Sequence, residues 1–229
     1  LHSFPTRRSS DLPTVGNYNI TNAGAILFAN NIENFPSLAR KAVRIIQYGD
    51  NTRLSAAIEK VFTLGYAAGF EALIAYVNDR LPQHEVMGAA LRRTVPMYPP
   101  LAVRESIANA LIHQNFFQQG AGPMVEIFPD RVEITNPGTP LIETDRFLDS
   151  PPISRNERLA AFLRRIGVCE ERGSGFDKIV YETEKYQLPA PEIEVYANTT
   201  RLILFAHRAF SQMSKADRLR RLVDRKSVV

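Results

Sequence analysis

The sequence has very few of the residues that build disulfide frameworks and thiolate metal sites. Its 229 residues include one cysteine, Cys169, and no tryptophan. A single cysteine excludes an intrachain disulfide and a cysteine-based zinc site, so Cys169 is interpreted as a small buried apolar residue. The four histidines are too scattered along the sequence to indicate a metal centre or a catalytic triad. A G-x-x-x-x-G-K-[ST] phosphate loop is also missing, which argues against a P-loop motor protein.

Long apolar runs and a strong charge of one sign are missing as well. No stretch is long and apolar enough for a transmembrane helix, so a soluble cytoplasmic protein is expected. The formal net charge is +4. The two ends, however, can be back-translated to partly reverse-complementary sequences that resemble a sequencing-library adapter. We therefore exclude residues 1–12 and 224–229 from fold prediction and expect a fragment of a longer protein. The remaining 24 Lys and Arg against 22 Asp and Glu give +2, which is weak support for a nucleic-acid partner.

The rest of the sequence divides into a segment at 13–51, a main domain at 52–206 and the start of a truncated helical module at 207–223. In the first segment, Thr21 is predicted to cap a helix over AGAILFANN, and KAVRIIQYGD is predicted to be a strand. Residues 52–79 are predicted to form a long amphipathic helix. The main domain then continues as helix 100–117, strands PMVEIF and DRVEIT, a mobile stretch, helices 156–166 and 176–187, and the hairpin EIEVYANTTRLILFA. This order predicts a two-layer α+β sandwich of an antiparallel sheet and helices.

Helix 100–117 contains an asparagine at an unusual position. Glu105, Asn109 and His113 are spaced four residues apart, opposite an apolar stripe formed by Val103, Ile107, Ala110 and Leu111. Asparagine is a weak helix former because its amide competes for backbone hydrogen bonds. The polar stripe is therefore either a solvated face or a face that contacts a ligand. His113 alone is interpreted as a polar residue of the helix face.

Two glycine-containing turns could bind phosphates. Asn136-Pro137-Gly138 follows the second strand, and Gly173-Ser174-Gly175 precedes helix 176–187, where backbone amides and the helix dipole favour anions. Arg155, between the two turns, could bind phosphate as a bidentate cation. The alternatives are a plain turn at Asn136–Gly138, a helix C-cap and tight turn at the second glycine pair, and a helix cap around Arg155.

The three blocks occur in the order found in the GHKL ATPases, the family of gyrase, MutL and the histidine kinases. The blocks are RESIANALIHQNF, PDRVEITNPGTP and ERGSGF. The sequence resembles more closely a divergent branch of bacterial transcriptional regulators and Schlafen-like proteins, often labelled "RecG-like C-terminal, ATP-binding". The resemblance covers roughly residues 60–206 and implies a Bergerat-type sandwich. Residues 13–51 resemble the tail of a Schlafen/AlbA-type domain, a type associated with nucleic-acid binding.

This resemblance implies a site for ATP and Mg²⁺. It assigns Mg²⁺ binding to Asn109, polarisation of the attacking water to Glu105, and nucleotide contacts to Asn136, Gly138, Arg155, Gly173, Ser174 and Gly175. Asn136 replaces the aspartate that accepts a hydrogen bond from adenine, and Pro140 replaces a second glycine, so adenine selectivity stays open.

The expected function is nucleotide sensing, with at most slow ATP hydrolysis, in a DNA-binding transcriptional regulator. The alternatives are a degenerate scaffold or dimerisation module without nucleotide binding and an active Mg²⁺-dependent ATPase of a helicase-related protein. DNA binding is expected to depend on parts outside or truncated in this fragment. A homodimer is compatible with the family, and no membrane partner is expected.

Overall fold

The computed structural model describes residues 14–15, 18–87, 92–144, 147, 153–169 and 175–207. Within these residues the helices are α1 (Asn22–Phe28), α2 (Tyr66–Arg80), α3 (Pro100–His113), α4 (Glu157–Arg165) and α5 (Gly175–Lys185). The strands are β1 (Thr14–Val15), β2 (Tyr18–Asn19), β3 (Val43–Tyr48), β4 (Ala57–Phe62), β5 (Gln83–Met87), β6 (Arg92–Pro96), β7 (Met124–Ile127), β8 (Arg131–Pro137), β9 (Glu192–Tyr196) and β10 (Thr199–Phe205).

Six of these strands form one mixed sheet in the order β4-β3-β7-β8-β10-β9. All neighbouring strands in this sheet are antiparallel except β3 and β7, which pair in parallel. Strands β1 and β2 form a small separate sheet, as do β5 and β6. The predicted α+β sandwich is confirmed, and its sheet is mixed because β3 joins the antiparallel strands of the main domain.

The core lies between this sheet and the helices. Along β7 and β8, alternate side chains point to opposite faces. Val125, Ile127, Val132 and Ile134 lie in the same apolar core as the helices, whereas Glu126 and Glu133 lie on the opposite face. Helix α3 is central, because it contacts α2, α4, α5 and β8. Its predicted apolar stripe is confirmed, since Val103, Ile107 and Leu111 are each at most 1% exposed.

The long helix predicted at 52–79 is wrong. Residues 57–62 form strand β4, which pairs antiparallel with β3, and the helix begins only at Tyr66. The β-branched Ile58 and Val61 favour a strand next to an existing partner, and sequence periodicity alone merged the two elements. By contrast, the predicted cap of α1 is confirmed, because Thr21 Oγ1 accepts a hydrogen bond from the Gly24 amide at 3.1 Å.

The division predicted between residues 51 and 52 falls inside the β3–β4 hairpin, and both strands belong to the main sheet. The Schlafen/AlbA-type origin of residues 13–51 stays a prediction. The adapter-like ends and the helix expected after residue 211 lie outside the described residues. No helix in the described ranges is long and apolar enough to cross a membrane.

Candidate functional site

A cavity of about 210 Å³ lies between the sheet and the helices. Its walls come from α3, from β8 and the segment after it, from α4 and α5, and from the β9–β10 hairpin. Five of the residues singled out in the sequence line it together, namely Glu105, Asn109, Asn136, Arg155 and Gly175. The fold therefore brings residues from all three sequence blocks, 70 positions apart at the extremes, to one concave surface.

Glu105 and Asn109 lie on the face of α3 that meets the start of α5. A Cβ atom added to Gly175 would be 3.2 Å from both Glu105 Oε2 and Asn109 Nδ2. These contacts would be tighter than is usual for a Cβ, so a side chain at this position would press on both polar groups. Glu105 is 3% exposed, so the solvated-face alternative does not describe it. The half-buried Asn109 side chain makes no hydrogen bond with the described residues, and its amide is available to a ligand.

The first glycine turn forms the edge of the cavity at the end of β8. Asn136 is 8% exposed and lies opposite Thr200 of β10. Its Nδ2 donates a hydrogen bond to the Pro137 carbonyl at 3.2 Å, whereas its Oδ1 accepts no hydrogen bond from the described residues. Gly138 has φ of +104° and forms the bend itself, where its amide donates to the Asn198 carbonyl at 2.6 Å. A side chain at Gly138 would be strained.

Arg155 is held by the backbone around the cavity. Its Nε donates to the His113 carbonyl at 3.1 Å, and its Nη2 donates to the Thr139 carbonyl. The guanidinium therefore connects the end of α3 to the segment after β8. The neighbouring Asn156 precedes α4 and makes no side-chain capping bond, and its Nδ2 donates to the Ile112 and Gln114 carbonyls at 2.7 and 2.8 Å. A phosphate contact for Arg155 stays a prediction.

His113 also lines the cavity. Burial, together with the smaller effect of the nearby positive charge of Arg155, lowers the pKa of its imidazole from 6.5 to about 4. His113 is thus a neutral hydrogen-bonding group at pH 7 and brings no positive charge to the cavity.

Several lining residues were missed by sequence reasoning. Arg164 at the end of α4 and the half-buried Cys169 line the cavity, and so does Thr200. An apolar part of the wall comes from Ile134, Ile142, Phe147, Ile153, Phe176 and Leu202. The rings of Phe147 and Phe176 meet edge to face with centroids 5.4 Å apart. Helical or strand spacing does not show which side chains share a cavity, and Ile142, Phe147 and Ile153 lie in the stretch that was expected to be mobile, where no such spacing was predicted. Gly173 and Ser174 lie outside the described residues.

Residues 120–204 match the family described as "Putative ATP-dependent DNA helicase recG C-terminal". The matched region includes β7, β8, α4, α5 and the β9–β10 hairpin, whereas Glu105 and Asn109 precede it. No curated protein sequence matches the chain significantly.

A solved structure shares the fold. The crystal structure of the DIP2311 protein from Corynebacterium diphtheriae is 22% identical in sequence and superposes with a TM-score of 0.65. The alignment covers 77% of this chain and 37% of that protein. The described chain is therefore an α+β sandwich with a region similar to an ATPase-like domain family, and it spans little more than a third of the length of that structural relative.

Proposed function

We propose that the cavity binds ATP with Mg²⁺, and that the chain is the nucleotide-sensing part of a DNA-binding transcriptional regulator with at most slow ATP hydrolysis. The observation that carries the proposal is the convergence of Glu105, Asn109, Asn136 and Gly175 on one cavity. The similarity of residues 120–204 to an ATPase-like family supports it independently. The regulatory role and membership of the GHKL class rest on the sequence resemblance.

The side chains of α3 that lie beside the start of α5 fit a Mg²⁺–phosphate group. Mg²⁺ prefers oxygen ligands and is commonly bound by one or two protein groups together with substrate phosphates. The Asn109 carbonyl oxygen would supply such a ligand without adding a negative charge beside the phosphates. The N-terminus of α5, which begins at Gly175, would favour the anionic end of the nucleotide. Glu105 would accept the proton of an attacking water.

Asn136 supports recognition of a base that carries an amino group. Because its Nδ2 is bonded to the Pro137 carbonyl, the group that it presents is the acceptor Oδ1. An acceptor at this position suits the exocyclic amine of adenine and disfavours the carbonyl of guanine. We therefore expect the asparagine to keep the preference for adenine that an aspartate would provide.

Three features favour binding over efficient turnover. Two guanidinium nitrogens of Arg155 already donate to backbone carbonyls, and His113 is neutral. Pro140, in place of a glycine, restricts the backbone of the segment after β8. Phosphoryl transfer depends on positively charged groups that stabilise the developing charge. A nucleotide would thus be held in a site with few cations to promote its hydrolysis.

Calorimetric titration of the whole chain with ATP and Mg²⁺ tests nucleotide binding. We expect saturable heat with ATP and weaker binding of GTP. Asn109→Ala should weaken Mg²⁺–ATP binding and raise the free energy of unfolding of the ligand-free chain by about 0.5 kcal/mol, because alanine is the better helix former. Asn34→Ala, at an exposed position away from the cavity, is the matched control for binding. No heat and no thermal shift at millimolar nucleotide would favour a scaffold or dimerisation module.

Single-turnover hydrolysis separates a sensor from an ATPase. We expect a very slow wild-type rate, a further loss in Glu105→Gln, and equal ATP affinity in both, because a general base acts mainly in the transition state. A rapid wild-type rate that disappears in Glu105→Gln would instead identify an active ATPase.

A further inference from the structure

Two arginines of the described ranges line the cavity, and they differ in what their side chains contact. Arg155 donates from two of its guanidinium nitrogens to the His113 and Thr139 carbonyls. The Arg164 side chain makes no hydrogen bond or ion pair with any residue of the described ranges. Its side chain is half-buried in the cavity wall. Among the residues that the structure describes, the cavity therefore has one arginine that is engaged by the protein and one whose guanidinium donors have no partner.

The backbone fixes Arg164 in this position. The adjacent Leu163 is 0% exposed and anchors the last turn of α4 in the core. The Arg164 carbonyl accepts a hydrogen bond from the Gly167 amide at 3.0 Å, in a turn where Gly167 has φ of +74°. Arg165, the next residue, is exposed and does not line the cavity. The direction of the last helical turn thus selects which of two consecutive arginines faces the cavity.

An unpaired guanidinium in a cavity wall is a strong site for a phosphate group. It offers five N–H donors in a planar fork that matches two oxygens of one phosphate. Half-burial removes part of its hydration, so an incoming anion displaces less water than on an open surface. The other described residues of the lining include no lysine, and His113 is neutral. Within the described part of the chain, Arg164 is therefore the lining cation with donors left for an anionic ligand.

We infer that Arg164 binds the phosphate groups of the nucleotide, and that Arg155 instead holds the end of α3 against the segment after β8. This inference rests on the proposed function and deepens it. It assigns the anion-binding role to a residue that lies outside the glycine turns. The ligand class is a nucleoside di- or triphosphate, because a nucleoside has no anionic group to pair with the guanidinium of Arg164.

The test compares Arg164→Gln with Arg165→Gln, which removes the same charge from the neighbouring position. Binding of ATP, ADP and adenosine to the full chain would be measured by calorimetry, with thermal unfolding to confirm that each variant is folded. We expect Arg164→Gln to weaken ATP and ADP about tenfold or more and to leave adenosine within about twofold, since a hydrogen bond between charged groups is worth that much. Arg165→Gln should bind all three ligands like wild type. Arg164→Lys, which keeps the charge but loses the fork, should lie between wild type and Arg164→Gln.

The outcomes are distinguishable. ATP binding by Arg164→Gln at wild-type affinity would overturn the inference and leave the proposed function intact. An equal loss for ATP and adenosine would also overturn it, because the effect would then not concern phosphate. A wild-type chain that binds none of the three ligands would refute the proposed function and, with it, the role of Arg164.

Discussion

The Asn109 side chain reaches the cavity from the middle of α3 and gains no hydrogen bond there from the described residues. An asparagine in this position is less favourable to the helix than an alanine by about 0.5 kcal/mol. The same carboxamide supplies an uncharged oxygen beside Glu105 and Gly175. The sequence therefore contained a usable signal for this residue. Asn109 is unfavourable to its own helix, and the structure shows that its side chain faces the cavity.

His113 makes a testable contribution to stability. Its pKa is about 4 in the folded chain against 6.5 for an unperturbed imidazole. Between these values the unfolded chain binds a proton that the folded chain does not, so the free energy of unfolding rises with pH across this window and falls on acidification. We expect wild type to lose about 1–2 kcal/mol from this group between pH 7.5 and pH 5.

Urea unfolding at the two pH values measures this loss. His113→Gln, which cannot be protonated, should lose correspondingly less stability on acidification. His207→Gln, at an exposed position, should behave like wild type. The same acid sensitivity in wild type and His113→Gln would show that the imidazole is not the group responsible.

At the scale of elements, the turn after α3 is built around one buried lysine. Lys41 is 2% exposed, and its ammonium donates to the carbonyls of Asn115, Gln118 and Ala121 at 3.2, 2.8 and 2.9 Å. Burial lowers its pKa to about 8. The Asn115 amide in turn donates to the Pro137 carbonyl at 2.7 Å, next to the Gly138 bend. Lys41 therefore connects the segment before β3 to the edge of the cavity.

We predict that Lys41→Met lowers the free energy of unfolding by about 1–3 kcal/mol. Methionine has a similar length but no donor, so three buried carbonyls would lose their partner. Urea denaturation measures the effect, and Lys60→Met on the exposed part of β4 is the control. If the two variants were equally stable, the three carbonyls would not depend on the ammonium.

Elements with a clear period were predictable, and contacts between distant segments were not. The helices around Asn109, Leu163 and Ile179 and the β7–β8 and β9–β10 hairpins were expected from the sequence, whereas the β5–β6 pair was not. The roles of Lys41 and Arg155 were not predictable, because their partners are backbone carbonyls 16 to 80 positions away. A carbonyl has no sequence signature, so such contacts are visible only in the folded chain.

At the scale of the whole molecule, the outer face of the sheet links the β3–β4 hairpin to the central strands. Glu126 and Glu133 lie opposite each other on β7 and β8, and both are 2% exposed. Arg53, from the hairpin, binds Glu126 through two nitrogens at 2.7 and 3.1 Å and also binds Glu133. Arg131 and Arg201 complete the charge balance around Glu133. Two facing buried carboxylates need these cations to offset the cost of burying their charges. The β3–β4 hairpin supplies one of the cations, Arg53, and so stabilises the central strands.

The division predicted at residue 52 leads to the last prediction, a chain that starts there. This chain keeps α3 to β10 but lacks β3, so β4 loses its only partner in the described sheet and β7 becomes an edge strand. It also lacks Lys41, which leaves the turn after α3 without its three hydrogen bonds. The helix-side core loses Val43 and Ile45, each at most 2% exposed, and burial of each such side chain stabilises a fold by about 1.5–3 kcal/mol. Since domains of this size are stable by only about 5–15 kcal/mol, we expect no cooperative unfolding transition from residues 52–207.

A chain that starts at residue 20 keeps these elements and should unfold cooperatively. Thermal and urea unfolding followed by circular dichroism compare the two, and a cooperative transition of similar midpoint in both would show that the sheet from β7 to β9 and its helices fold without the preceding segment.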